Sequence, residues 1–331
     1  MNTETSETPV KGALIYQPQG AAGEYAKWAI NLYHGCSNGC TYCYNRRGVL
    51  SHVFGDKPEL AAPIVKLRDK LLNKVMKEGG WTAHDAIPEM VVDNCTYGAV
   101  SSLLWRDIER IGKDKIREDG GIFFSFTCDP FDEESDVNIL LQSALKLISN
   151  QIPVTILTKN VAWLCYFDTW KNITEEYVAH LDDIGRYLTI GFTITGKDKL
   201  EPGAPSSEKR IEALRKLHNE YKIKTFVSLE PITSLAAASE VIKKTYQITD
   251  EIRIGAQSPI KKDRYDVMEF IGFVLAIKSL ADTLDCRFMV KDSMYKQAET
   301  FEDAYRYMCI EALDEIREIY AIKSKEENHE K

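Results

Sequence analysis

The sequence predicts an α/β fold: a partial (β/α)6 barrel with an insertion after its first strand and a helical extension at its carboxyl end. Three observations lead there. Short β-branched or aromatic runs alternate with amphipathic stretches of 3.6-residue period. Six such strand–helix units follow one another, and that order implies a parallel sheet with right-handed crossovers. The chain has 331 residues, 44% of them hydrophobic, which suffices for one large core, and no internal repeat or Pro- or Ser-rich linker divides it.

Taken in order, residues 1–28 are an N-terminal extension, 29–287 the barrel and 288–331 a C-terminal helical extension. Strands are expected near 29–33, 122–127, 154–157, 188–194, 225–229 and 251–254. Residues 136–148 place apolar side chains at 137, 140, 141, 144, 145 and 148, one face of a helix. Residues 208–221 put Ile211, Leu214 and Leu217 on one face, with Ser206 as N-cap. Longer helices of the same type are expected over 263–281 and 298–322, the last closing the open side of the barrel or forming a partner surface.

The rhythm breaks between the first two strands. The insertion, about residues 47–120, holds a helical pattern at 64–76, a short apolar run at 90–92 and another helix near 100–111. Insertions at a strand end are more often functional than structural.

Composition narrows the partners. The formal charge is −8 and no basic half hides within it: residues 1–120 carry 15 basic and 15 acidic groups, 121–240 carry 12 and 17, and 241–331 carry 15 and 18. There is no global field for phosphates, which argues against tight non-specific nucleic-acid binding. The local basic clusters are Arg46 with Arg47, and Lys261, Lys262 and Arg264. No apolar run approaches the roughly 18–20 residues of a membrane span. The start, MNTETSETPVKG, lacks the basic and apolar regions of a signal peptide, so a cytoplasmic, reducing compartment is expected.

Eight cysteines stand at 36, 40, 43, 95, 128, 165, 286 and 309. Cys95, Cys128, Cys165, Cys286 and Cys309 are scattered and read as buried small hydrophobes. Three are packed into eight residues of Tyr33-His34-Gly35-Cys36-Ser37-Asn38-Gly39-Cys40-Thr41-Tyr42-Cys43-Tyr44. In a reducing compartment such a cluster means metal or redox chemistry. Thiolates at Cys36, Cys40 and Cys43 suit one face of a [4Fe–4S] cluster, and with no fourth Cys before Cys95 one iron stays free for an exchangeable ligand. The other reading is a structural zinc site completed by His34 or His52.

Cys-x3-Cys-x2-Cys after the first strand of a β/α barrel, with Tyr42 just before the third Cys, resembles the radical S-adenosylmethionine (SAM) superfamily. Other segments narrow the resemblance. Phe124-Ser125-Phe126-Thr127-Cys128-Asp129-Pro130-Phe131 ends the second strand, and Leu157-Thr158-Lys159-Asn160 ends the third. Glu201-Pro202-Gly203-Ala204-Pro205-Ser206-Ser207 leads to Arg210 after the fourth. Together they are similar to the spore photoproduct lyase-like (DNA repair photolyase-like) subgroup, over residues 29–260.

The resemblance implies a [4Fe–4S] cluster on Cys36, Cys40 and Cys43, with SAM bound at the free iron. Reductive cleavage of SAM would give a 5′-deoxyadenosyl radical that abstracts hydrogen from an unidentified substrate, in a lyase or oxidoreductase reaction. An electron donor such as flavodoxin or ferredoxin is implied, and a nucleic-acid substrate is the alternative that the subgroup suggests. A non-catalytic iron–sulfur electron-transfer protein is the rival from another class. The residue types agree. Asp129 at a strand end suits the ammonium of SAM, and Lys159 at the next strand end its carboxylate. Tyr42 or Tyr44 offers an aromatic face to adenine. Thr193 or Thr195 is placed for the ribose hydroxyls, at the barrel end where active sites lie. Arg210 is expected to shape the site, paired with Glu201 or Glu230, or to form an ordinary ion pair.

Cys128 has two readings. Spore photoproduct lyases carry a hydrogen-donating Cys three residues before the Asp-Pro pair; here that place is Phe126, and Cys128 directly precedes Asp129. Residues 126 and 128 share one strand face, about 6–7 Å apart. Cys128 is either a displaced hydrogen donor or a wall residue near SAM.

Overall fold

The computed structural model describes residues 12–46, 54–81, 86–170, 172 and 184–329. Among these residues ten strands form: β1 (Ile15–Tyr16), β2 (Ala29–Ile30), β3 (Tyr33–His34), β4 (Glu59–Leu60), β5 (Ile122–Phe124), β6 (Val154–Thr158), β7 (Leu188–Thr193), β8 (Lys224–Ile232), β9 (Glu251–Ala256) and β10 (Arg287–Val290). The main sheet has the order β1-β2-β5-β6-β7-β8-β9-β10 and is open rather than closed. From β2 to β10 every neighbouring pair is parallel, and only β1 runs antiparallel, on β2.

The alternating strand–helix reading therefore holds, with a seventh parallel strand in place of the expected six. Residues 287–290 pair with β9 in register Arg287↔Glu251 to Val290↔Ile254, so the sheet reaches past the expected barrel end at 287. The strand is hard to read in sequence because Arg287 interrupts its apolar pattern, and the carboxylate that accommodates it stands on the neighbouring strand: Arg287 lies 3.4 Å from Glu251. The first strand is shorter than expected. After Ile30 the chain turns away, and Tyr33–His34 pairs antiparallel with β4.

The helices are α1 (Ala62–Glu78), α2 (Glu89–Ile111), α3 (Lys113–Glu118), α4 (Val137–Ile148), α5 (Ser207–Asn219), α6 (Leu235–Thr245), α7 (Val267–Thr283), α8 (Asp292–Ala298) and α9 (Asp303–His329). Side-chain oxygens of Asp136, Ser206, Ser234 and Asp266 cap α4 to α7, accepting from backbone N–H groups that have no helical partner. In the insertion, the apolar run at 90–92 proves to be the first turn of the long α2. The expected helix over 298–322 is two helices, broken where Phe301 turns into the core. The second of them, α9, packs on α7 and β10 and covers the β10 edge: Arg317 donates to the Val290 carbonyl and Tyr320 to Glu251.

Period-2 alternation gives the sheet two unlike faces. Ile30, Phe124, Ile156, Ile190, Val227, Ile252 and Phe288 point to the helices, each at most 2% exposed, and each contributes about 1.5–3 kcal/mol by burial. The opposite face carries Ala29, Phe123 and Phe226 as a small apolar patch, with Tyr16, Tyr25, Phe126 and Leu157 packed on it. Beyond that patch this face is polar, and all its parallel strands end on one side, where the site lies.

Candidate active site at the strand ends

The cysteine loop is anchored by its backbone and its non-cysteine side chains. Gly35 opens it at φ +82°, and a Cβ there would lie 2.2 Å from the Lys57 carbonyl oxygen, so no other residue fits. Asp132, 2% exposed, accepts from the Ser37 backbone N–H at 2.7 Å and from its hydroxyl at 2.8 Å. The Asn38 amide donates to Asp129 at 2.9 Å, the Gly203 N–H to the Asn38 carbonyl at 2.9 Å, and the Thr41 N–H to the Leu200 carbonyl at 2.8 Å. Strand ends of β5, β6 and β7 thus grip the loop, and the three thiols remain unbonded to one another.

Cys36 and Cys43 are half-buried and Cys40 is buried. Burial pushes the Cys40 thiol up to about 11 although Lys159 pulls the other way, and Cys36 and Cys43 lie near enough to add to the rise. Among the described residues no three Cys, His, Asp or Glu side chains are gathered as tightly as a single metal ion requires. His34 interacts through Nδ1 with the Thr127 hydroxyl at 2.9 Å and stacks on Phe54. His52 and Arg47 lie outside the described residues.

Asp129 sits at the centre of the strand ends and is fully used. Its carboxylate accepts from the Phe131 N–H (3.1 Å), the Thr158 hydroxyl (2.5 Å), the Asn38 amide (2.9 Å) and the Lys159 N–H (2.8 Å). Four donors fill the capacity of two oxygens, so in this arrangement Asp129 ties the loop to β5 and β6. Lys159 is the opposite case. Its ammonium stands 5.7 Å from the Tyr42 ring centroid and has no hydrogen-bond or ion-pair partner among the described residues. Burial disfavours its charge, yet Cys40, Glu201 and Asp129 together hold its pKa above the ordinary lysine value.

Arg210 is wholly buried and pairs with buried Glu201, not with Glu230. It also donates to the Thr193 carbonyl at 2.5 Å, and its Nε has no partner. The Tyr42 hydroxyl donates to the other Glu201 oxygen, which fixes the Tyr42 ring beside Lys159. Arg210 therefore acts through Glu201 and Tyr42. Thr193 and Thr195 are buried at the β7 end, and the Thr195 hydroxyl accepts from the Lys197 N–H. Tyr44 is 54% exposed and donates to the Phe126 carbonyl.

Cys128 is buried against the loop. Its hydrogen bond with Cys36, then burial, raise its pKa strongly; it also approaches the Asp129 carbonyl at 3.1 Å. Of the scattered cysteines, Cys95, Cys286 and Cys309 are buried as expected, whereas Cys165 is exposed, on a short 3-10 turn that leaves it outside the core. The basic groups are spoken for in part: Arg46 pairs with Asp56 at 2.7 Å, and Arg264 donates to Gln257 and the Pro259 carbonyl.

A second polar cluster lies at the ends of β8 and β10, and sequence reasoning missed it. Tyr25 reaches in from the N-terminal segment; its hydroxyl donates to Glu230 at 2.7 Å and lies 2.9 Å from the Ser228 hydroxyl. Lys291, 1% exposed, donates to the same Glu230 oxygen at 2.9 Å and to the Ala21 carbonyl at 3.2 Å. Its ammonium sits 3.7 Å from the Tyr25 ring centroid, a close cation–π contact. Burial and then Glu230 push the Tyr25 pKa well up. Arg253 stacks on Phe226 at 4.0 Å and bonds Glu251 at 2.5 Å. One available signal was that Glu230 and Lys291 are charged residues at or just beyond the ends of strands.

No known family model matches the chain. An uncharacterized protein of Methanocaldococcus jannaschii is 25% identical over 238 residues, covering 70% of each chain. Among solved structures, SuiB of Streptococcus suis bound to S-adenosylmethionine is 13% identical with a TM-score of 0.38, covering 69% of this chain and 62% of that one. SuiB bound to the precursor peptide SuiA is 12% identical with a TM-score of 0.39, covering 73% and 65%. The chain spans less than two thirds of the SuiB chains it matches. No helix among the described residues is long and apolar enough to cross a membrane.

Proposed function

We propose that this chain is a radical SAM enzyme of the spore photoproduct lyase-like kind, acting on an unidentified substrate. The observation that carries the reading is the pinned loop of Cys36, Cys40 and Cys43 with Lys159 near Cys40 and the Tyr42 ring, an ammonium that nothing in the described chain neutralises by direct contact. The donor set fits an iron–sulfur centre: three soft thiols, spread wider than one tetrahedral ion needs. Cys36, Cys40 and Cys43 would hold a [4Fe–4S] centre, which when bound would supply the electron for reductive cleavage of SAM and so hydrogen abstraction from substrate.

The chain's own residues do the rest. Lys159 attracts the carboxylate of SAM, and Tyr42, held by Glu201 and Arg210, gives its ring a fixed wall. Asp129 sets the distance between loop and strands rather than holding the ammonium itself. Cys128 lines the wall behind Cys36. An electron-transfer protein would have no use for the unpaired Lys159, which favours the enzyme over that rival.

Anaerobic reconstitution with iron and sulfide, followed by dithionite and SAM, tests the reading. A brown chromophore and 5′-deoxyadenosine are expected. A chromophore without SAM cleavage would return the chain to electron transfer, and a colourless zinc-binding chain would overturn both.

A further inference from the structure

The cluster around Glu230 contains one group that the fold leaves unspent. Glu230 Oε2 is immobilised twice, by Tyr25 at 2.7 Å and Lys291 at 2.9 Å. Oε1 has no donor among the described residues, and the side chain keeps 23% of its surface exposed. Its place is dictated by Gly255: a Cβ there would lie 2.9 Å from the Glu230 Cδ and 3.0 Å from Oε1, so only glycine leaves the carboxylate where it is. Tyr25, which bonds the other oxygen, meets Phe126 edge-on at 6.1 Å, and the Phe126 carbonyl accepts from Tyr44 next to Cys43, which places the Glu230 carboxylate in the same mouth as the cysteine loop.

We infer that Glu230 Oε1 is the polar anchor of a substrate subsite that takes a small, uncharged aromatic ring bearing an N–H donor. Two features define this ligand class. Lys291 already neutralises the carboxylate and Arg253 stands nearby, so a neutral donor is accepted where a cation would meet like charge. The wall beside it is aromatic: Phe126 stacks on Phe123 at 4.6 Å yet is only half-buried, Tyr25 meets it edge-on at 6.1 Å, and Tyr44 is exposed. Such a wall holds a flat ring by stacking while its edge donates to Oε1. The overall charge of −8 favours a small ring over a polyanion. This deepens the proposed function by naming the substrate side of the same mouth, and rests on it.

The test is calorimetric titration of the reconstituted protein with uracil and with indole, two neutral rings with N–H donors. Wild type is expected to bind at least one, their ratio distinguishing a polar from an apolar ring. Glu230→Gln and Gly255→Ala should each weaken binding at least tenfold with unchanged circular dichroism. The second variant keeps every charge and displaces the carboxylate. Binding of neither ring by wild type overturns the subsite, as does loss in one variant alone or in neither. SAM cleavage by the same wild-type batch reads the proposed function separately: cleavage without ring binding sinks the subsite alone, and ring binding without cleavage sinks the enzyme reading alone.

Discussion

The two halves of the mouth carry the same kinds of charge and hold them differently. At the ends of β2 to β7, Lys159 is half-buried with no direct partner, while every carboxylate around it is consumed: Asp129 by four donors, Glu201 by Tyr42 and Arg210. At the ends of β8 and β10 the roles reverse. Lys291 is held by Glu230, the Ala21 carbonyl and the Tyr25 ring, and the unspent group is a single carboxylate oxygen. Charge alone does not mark a binding group. A group that the fold has placed and left without a partner does.

The largest effect should come from the loop that defines the first half. Replacing any of Cys36, Cys40 or Cys43 by Ala is expected to abolish the reconstituted chromophore and SAM cleavage, while Cys165→Ala, at an exposed thiol, leaves both intact; absorbance and product chromatography check this. Next comes the buttress beneath it. Glu201→Ala leaves the wholly buried Arg210 with the Thr193 carbonyl and with Asp198 at 3.6 Å and should cost about 1–3 kcal/mol in urea unfolding. The double variant Glu201→Leu with Arg210→Met should recover much of that loss.

The sharpest form of the comparison is one substitution made twice. Lys291→Met leaves Glu230 with one donor fewer and should destabilise by about 1–3 kcal/mol. Lys159→Met removes a half-buried ammonium that Cys40, Glu201 and Asp129 favour without direct contact, so it should cost less stability than Lys291→Met while SAM affinity falls about tenfold to a hundredfold. Equal stability losses in thermal melts of the two variants would erase the distinction drawn between the halves.

The smallest effect is pH-dependent. Burial opposes the Glu251 charge, but Arg253 and Arg287 outweigh it, and its pKa lies below the ordinary 4.5. A depressed carboxylate pKa contributes stability above the unfolded value that disappears as pH falls through the folded value. Glu251→Gln should therefore be less stable than wild type at neutral pH by about 1–2 kcal/mol, and the two unfolding curves should converge in acid below pH 4.5.

What was legible in the sequence was local. Cys36, Cys40 and Cys43 announce themselves by spacing, and Lys159 by standing at the end of an apolar run. The Arg210–Glu201 pair is nine residues apart, within reach of a turn and a helix start. What was hidden depends on partners far along the chain. Asp129 gives no sign in sequence that Asn38, 91 positions earlier, will occupy its carboxylate. Glu230 and Tyr25 stand 205 residues apart, and nothing in the N-terminal stretch marks Tyr25 as part of a site. The β10 strand was missed for the same reason, since its Arg287 makes sense only beside Glu251.

The segment around Tyr25 also sets an order of manufacture. It bonds the far edge of the open sheet: Ala21 receives Lys291 across 270 residues, and Glu24 receives the Asp292 N–H across 268. At synthesis rates of about 5–20 residues per second, Tyr25 is added roughly 13–53 s before Lys291. Until then the strap can bond β8 through Tyr25 but not the β10 end, and the inner face stands open on that side. A stretch made before the sheet is thus among the last to be fully fastened, so a nascent chain stalled before β10 would present the cysteine loop on a scaffold only partly latched.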